Sequence, residues 1–176
     1  MTKYSIIKKM LTAGVFLCYS VPDLHAQLLN TSQMKVYPKT VMAVHSDFKN
    51  ESTGELINDG DLHIFYHWTN DGKIGFTPSE QGATYFTGLG EQIIDGQMAS
   101  KSTYTNFKNI NFKNASTLTP FILATDINIW GVANFQNGII DADSYAGKVI
   151  FQTNATHTNA GIKSFVDGRV QKIGYA

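Results

Sequence analysis

Cysteine is nearly missing from this chain: the one residue, Cys18, lies in an apolar run near the start, and nothing from Gln27 onward can form a disulfide. The 150 residues from Gln27 to Ala176 are enough to bury a core without such staples. Excess positive charge is missing too. Beyond residue 26 there are eleven Lys and Arg against thirteen Asp and Glu, with no basic patch to displace phosphate counterions, which excludes a nucleic-acid partner. After the leader no hydrophobic stretch approaches the roughly 20 residues needed to span a bilayer. Strong helix formers are sparse, and no long window repeats its apolar residues at a period of about 3.6, so helix should be scarce. A Gly-x-Ser-x-Gly elbow, a phosphate loop and a dinucleotide fingerprint are all lacking, and no enzyme class is nominated by motif.

The start of the chain has the three parts of a secretory signal peptide. Basic Lys3, Lys8 and Lys9 precede an apolar run from Met10 to Val21, and small Ala26 ends the segment, which places cleavage before Gln27. Leu17 stands where a lipoprotein signal needs a small residue before its cysteine, so Cys18 is not read as a lipid anchor. The expected destination is the cell surface or the medium.

From Gln27 onward the chain is rich in Thr, Asn, Gly and aromatic residues, a composition that suits strands and turns. Turn signals are dense: Asn58-Asp59-Gly60, Asn70-Asp71-Gly72, Gly82, Gly88, Gly90, Gly96, Asn137-Gly138, Gly147, Gly161 and Asp167-Gly168. Strands are predicted in the gaps, over 62–68, 83–87, 92–95, 104–112, 119–123, 128–135, 139–142, 148–152, 163–166 and 170–173. In 62–68, Leu62, Ile64, Tyr66 and Trp68 alternate with His63, Phe65 and His67, and the first set is expected to face the core. Two architectures use such a pattern. One is an antiparallel sandwich or jelly roll, for which the Asn-Asp-Gly tripeptides would be hairpin turns. The other is a β-solenoid with Asn and Gly at its corners and stacked apolar residues inside.

Residues 82–174 tip the balance. The series Gly82-Ala83-Thr84-Tyr85-Phe86-Thr87-Gly88, Glu91-Gln92-Ile93-Ile94-Asp95-Gly96 and Tyr104-Thr105-Asn106-Phe107-Lys108-Asn109-Ile110-Asn111-Phe112 resembles a repeat of Bacteroidetes-type secreted and cell-surface proteins. It continues through 127–140 and closes on Ser164-Phe165-Val166-Asp167-Gly168-Arg169-Val170, where Arg169 replaces the proline usual in that family. The resemblance implies a right-handed parallel β-helix or related solenoid in an adhesin-like protein exported by the type nine route. It brings no shared catalytic residues and no cofactor. The expected organisation is a signal peptide over 1–26, an N-terminal β segment over 27–81 and a solenoid-like repeat segment over 82–176. The first segment, to about Gly75, is expected to be the least regular. Asn114-Ala115-Ser116 recurs as Asn154-Ala155-Thr156 forty residues on, about two turns of a β-helix with roughly 20 residues each.

The search for chemistry yields few candidates. His63 and His67 have a helical zinc spacing, but four residues along a strand separate them by about 13 Å, beyond a shared ion, and no metal site is read there. Asp141 and Asp143 would share one face if their strand continues, and with Asp126 they are the carboxylates to test for catalysis or calcium; a polar strand end is the ordinary explanation. No catalytic, cofactor or metal residues are therefore assigned. Phe86, Phe107, Phe112, Phe135 and Phe151 are read as an interior stack, and Trp68 and Trp130 as core residues. Trp68, Trp130, Tyr104 and Tyr145 would offer a flat sugar-binding surface if they pointed outward. The leading expectation is a noncatalytic structural or adhesive segment of a bacterial surface protein, with a glycan or a surface protein as partner. The alternative is a carbohydrate-binding or polysaccharide-cleaving module. Because Lys172 to Ala176 directly follow an expected strand, the last turn is expected to self-associate or fray.

Overall fold

The computed structural model describes residues 26–96 and 105–174; residues 1–25, on which most of the expected signal peptide falls, residues 97–104, Tyr104 among them, and the final two lie outside that range. The described chain winds through three parallel sheets that stack as a β-solenoid, and it contains no helix. Its first turn is β1 (Gln27–Asn30), β2 (Gln33–Val36) and β3 (Val41–Val44), and the second is β4 (Asp47–Asn50), β5 (Glu55–Asn58) and β6 (Asp61–Ile64). The third holds β7 (Trp68–Asn70), β8 (Lys73–Gly75) and β9 (Ala83–Phe86), and the fourth β10 (Gln92–Gly96), β11 (Thr105–Phe107) and β12 (Asn109–Lys113). Next come β13 (Phe121–Leu123), β14 (Asp126–Ile129) and β15 (Val132–Asn137), then β16 (Ile140–Asp141), β17 (Lys148–Phe151) and β18 (Thr156–Thr158). Finally β19 (Val166–Asp167) and β20 (Val170–Lys172) extend the first and second sheets.

Stacking in register places like residues above one another, and this builds the core. In the first sheet Leu28, Phe48, Trp68, Ile94 and Leu123 form one inward column. In the second sheet the column is Met34, Leu56, Ile74, Thr105, Ile127 and Val149. The third sheet contributes Val44, Ile64, Phe86, Phe112 and Phe135. The rings meet closely: Trp68 stacks on Phe48 at 4.6 Å, and Phe112 stacks on Phe135 at 5.5 Å. Phe86, Phe107, Phe112, Phe135 and Phe151 are all buried, as expected from sequence, and Trp68 is fully so.

A polar column lies at the corner between the first two sheets. Asn30, Asn50 and Asn70 are register partners, buried, and spaced by twenty residues. Asn30 Nδ2 donates to Asn50 Oδ1 at 2.8 Å, and Asn50 Nδ2 donates to Asn70 Oδ1 at 2.8 Å. Each amide has one donor and one acceptor arm, so a stack of identical residues satisfies itself while it locks the register. The column ends where Gly96 partners Asn70, whose Nδ2 turns to Thr105 Oγ1 at 3.1 Å.

Several sequence expectations are corrected. The Asn-Asp-Gly tripeptides are solenoid corners, not hairpin turns, and the glycines serve close approach: a side chain at Gly72 would collide with the carbonyl oxygens of Glu51 and Gly54 in the turn beneath. The segment up to Gly75, expected to be the least regular, steps by twenty residues at each turn of the first sheet, and all three sheets run through it without a break. Stretches 62–68, 104–112 and 128–135 are each cut by a corner into strands of different sheets. Phe107 and Phe112 are five apart and would point to opposite faces of one strand; the corner at Lys108 lets both point inward. Tyr66 sits at another such corner and is exposed. Asn114 and Asn154 do not stack, because Asn114 follows β12 of the third sheet and Asn154 follows β17 of the second.

Candidate functional site

Strand alternation sends every second residue of the second sheet outward, and stacking aligns these residues into a grid. One outward column is Gly75, Asn106, Asn128, Ile150 and Gln171, although the Gly75 step follows from the pairing of Ile74 with Thr105. Beside it run Asp126 with Lys148 on one flank and Lys108, Trp130 and Gln152 on the other. Gly75 contributes no side chain, and the space above its Cα is open. The result is two adjoining hollows that share Asn106 and Trp130. One, of about 430 Å³, is walled by Phe76, Pro78 and Lys108. The other, of about 450 Å³, runs over Asn128, Ile150, Gln152 and Gln171.

Trp130 is the ridge between them. It occupies the corner after β14, is 45% exposed, and donates from Nε1 to Asn106 Oδ1 at 3.2 Å. Phe76 meets it edge-on at 6.4 Å, and the Lys108 ammonium lies over the Phe76 ring at 5.5 Å. Its expected place in the core is thus corrected: Trp130 shares outward parity with Asp126 and Asn128, while inward Ile127 and Ile129 fill the interior. Asn128 is 2% exposed; its Oδ1 accepts from Gln152 Nε2 at 2.6 Å, and its Nδ2 has no acceptor. Charge on the floor is locally cancelled, since Lys148 Nζ lies 3.6 Å from the Asp126 carboxylate.

The carboxylates singled out in the sequence do not converge. Asp126 faces out of the second sheet, whereas Asp141 lies in the first. The strand carrying Asp141 ends there, so Asp143 falls in the bend beyond it. Asp141 Oδ1 accepts from the Ser144 N–H at 2.9 Å, which makes it a turn-holding group, and its register partner is Asp167. His63 stacks on Tyr85 at 4.4 Å, and His67 Nδ1 accepts from the Ile93 N–H at 3.0 Å. Among the described residues no group of three or more His, Cys, Asp or Glu is placed to hold a metal ion. Tyr145 is exposed, away from the Trp130 groove.

Asp59 is a further group that sequence reasoning read only as a turn residue. Its carboxylate accepts from Thr77 N–H at 2.6 Å and Thr77 Oγ1 at 2.8 Å, and Lys35 Nζ lies 2.9 Å away, so it clips three successive turns together. Burial alone would raise the Asp59 pKa; the two Thr77 donors and the Lys35 ammonium outweigh it, and the net displacement is downward. A buried carboxylate held ionised by donors this close is a structural clip with no proton to exchange near neutrality.

No protein-family model, no curated protein and no solved structure matches the chain.

Proposed function

We propose that this chain is a noncatalytic, rigid display segment of an exported bacterial surface protein, adhesive through its outer faces. The observation that carries this reading is the use made of its polar side chains. Asn30, Asn50 and Asn70 hold turn to turn, Asp59 clips three turns, and Asp141 caps a bend, so these groups are spent on rigidity. Parallel turns locked in this way hold an outward grid at fixed spacing, which suits repeated weak contacts whose sum is strong. Export rests on Lys8 and Lys9, the Met10 to Val21 run and Ala26; intact mass of protein collected outside the cell should correspond to a chain starting at or near Gln27. For the noncatalytic part, incubating the mature domain with acidic and neutral polysaccharides, with and without calcium, should release no product. Turnover abolished by Asp141→Ala or Asp143→Ala would replace this reading with a polysaccharide-cleaving one.

A further inference from the structure

We infer that the groove on either side of Trp130 is a binding site for an uncharged polysaccharide. This deepens the display reading, and rests on it, by naming the ligand class of one face. Three features converge on that class. A sugar ring has an apolar C–H face and a rim of hydroxyls, and the groove offers an aromatic plate in Trp130 with amides of Asn106, Asn128, Gln152 and Gln171 around it. Amides suit hydroxyls because each can donate and accept at once. Then there is Asn128 Nδ2, a buried donor at the groove floor without an acceptor. Leaving such a group unpaired is costly, and a ligand oxygen reaching it removes that cost. Lastly, the Asp126–Lys148 pair cancels charge on the floor of one hollow, and the cation at the wall of the other, Lys108, is engaged over the Phe76 ring rather than presented to a uronate or sulfate.

The shape argues for a chain rather than a single sugar. The two hollows adjoin and run across successive turns of the solenoid, from Phe76 and Pro78 to Gln171, with Trp130 between them. A linear ligand would lie across the strands, with one unit against the Trp130 ring and its neighbours in the hollows. Each hollow lies within the usual range of about 300–1,000 Å³ for ligand pockets.

The test uses the mature protein and a panel of cello-, xylo-, manno- and laminari-oligosaccharides, with oligogalacturonate as the acidic counterpart. Trp68 is fully buried, so a ligand-induced change in tryptophan emission reports on Trp130. The expected result is a saturable blue shift with an uncharged member and affinity insensitive to salt, because no ion pair forms. Titration calorimetry, used for the variants because they lack the Trp130 reporter, should show Trp130→Ala weakening binding on the order of tenfold or more, as loss of a central aromatic anchor does, with melting temperature unchanged. Trp130→Phe, which keeps a ring, should restore most of it. The site is overturned if no uncharged member binds, if oligogalacturonate binds in preference, or if binding survives Trp130→Ala; in those cases the display reading still stands. Shortening of any oligosaccharide would instead overturn the noncatalytic reading.

Discussion

The first three turns and the later ones solve the same stacking problem differently. Early on, Phe48 pairs with Trp68 and Asn50 with Asn70, twenty residues apart, and the corner between the first two sheets is an unbroken amide column. Later, Trp68 pairs with Ile94 and Ile94 with Leu123, intervals of 26 and 29 residues, and aromatic stacking through Phe86, Phe112 and Phe135 takes over. Among the described residues the added length falls mostly at corners, as over 76–82 and 114–120, and one residue enters the third sheet itself, where the register shifts between Phe112 and Lys113. The even region adds a buried column of identical amides to its ring stacking; the uneven region relies on a longer aromatic stack with scattered amide pairs such as Asn111–Asn134 and Asn128–Gln152. Gly96 marks the change, because it stands where a fourth asparagine would continue the column.

Substitutions can break that comparison at its joint or on either side. The largest effect is expected at Trp68, which touches Phe48 on one side and Phe86 and Phe107 on the other. Trp68→Ala should cost about 3–5 kcal/mol and merge both regions into one lower, broader transition in calorimetry. Asn50→Ala should cost about 2 kcal/mol, lowering the melting temperature by roughly 5 °C, since the central amide serves both neighbours.

Asp59→Asn tests the clip through its pH dependence. The folded pKa is depressed, so the stabilisation is fully present above the unfolded value of about 3.9 and is lost as pH falls through the folded value. Wild type should melt higher than Asp59→Asn by a constant margin between about pH 7 and 5, and the margin should close below about pH 4. Thermal melts across that range decide it. The smallest effect is expected from Asn134→Ala: this residue also stacks on an asparagine, Asn111, at 2.8 Å, but on the outer surface. Less than about 1 kcal/mol is expected there, because water replaces the lost bonds.

The all-β class, the interior phenylalanines and most later strands were legible in the sequence, since glycine spacing and alternating apolar residues report directly on corners and faces; the choice of solenoid over sandwich came from the resemblance across residues 82–174, because both architectures use the same spacing. The corners at Lys108 and at 65–67 were not, because neither carries a strong turn signal; the parity conflict between Phe107 and Phe112 was the available clue. The asparagine column was also available, as Asn30, Asn50 and Asn70 at equal intervals, yet the weaker recurrence at Asn114 and Asn154 was read in its place. Trp130 could not be placed from the pattern 128–135 taken as one strand. Once Gly131 is recognised as a corner, the parity of 126, 128 and 130 points it outward.

Register is the central claim, and engineered cross-links measure it most directly. In a Cys18→Ser background, Lys49→Cys with Thr69→Cys places two thiols on stacked register partners, at the strand spacing of about 4.8 Å that a disulfide spans. A control pair, Glu55→Cys with His63→Cys, would be opposite only if Asn58-Asp59-Gly60 closed a hairpin; in the solenoid these residues lie in different sheets. Mild oxidation followed by mass spectrometry should give near-complete closure of the 49–69 pair and none of the 55–63 pair. Closure of 55–63 with 49–69 left open would contradict the parallel solenoid.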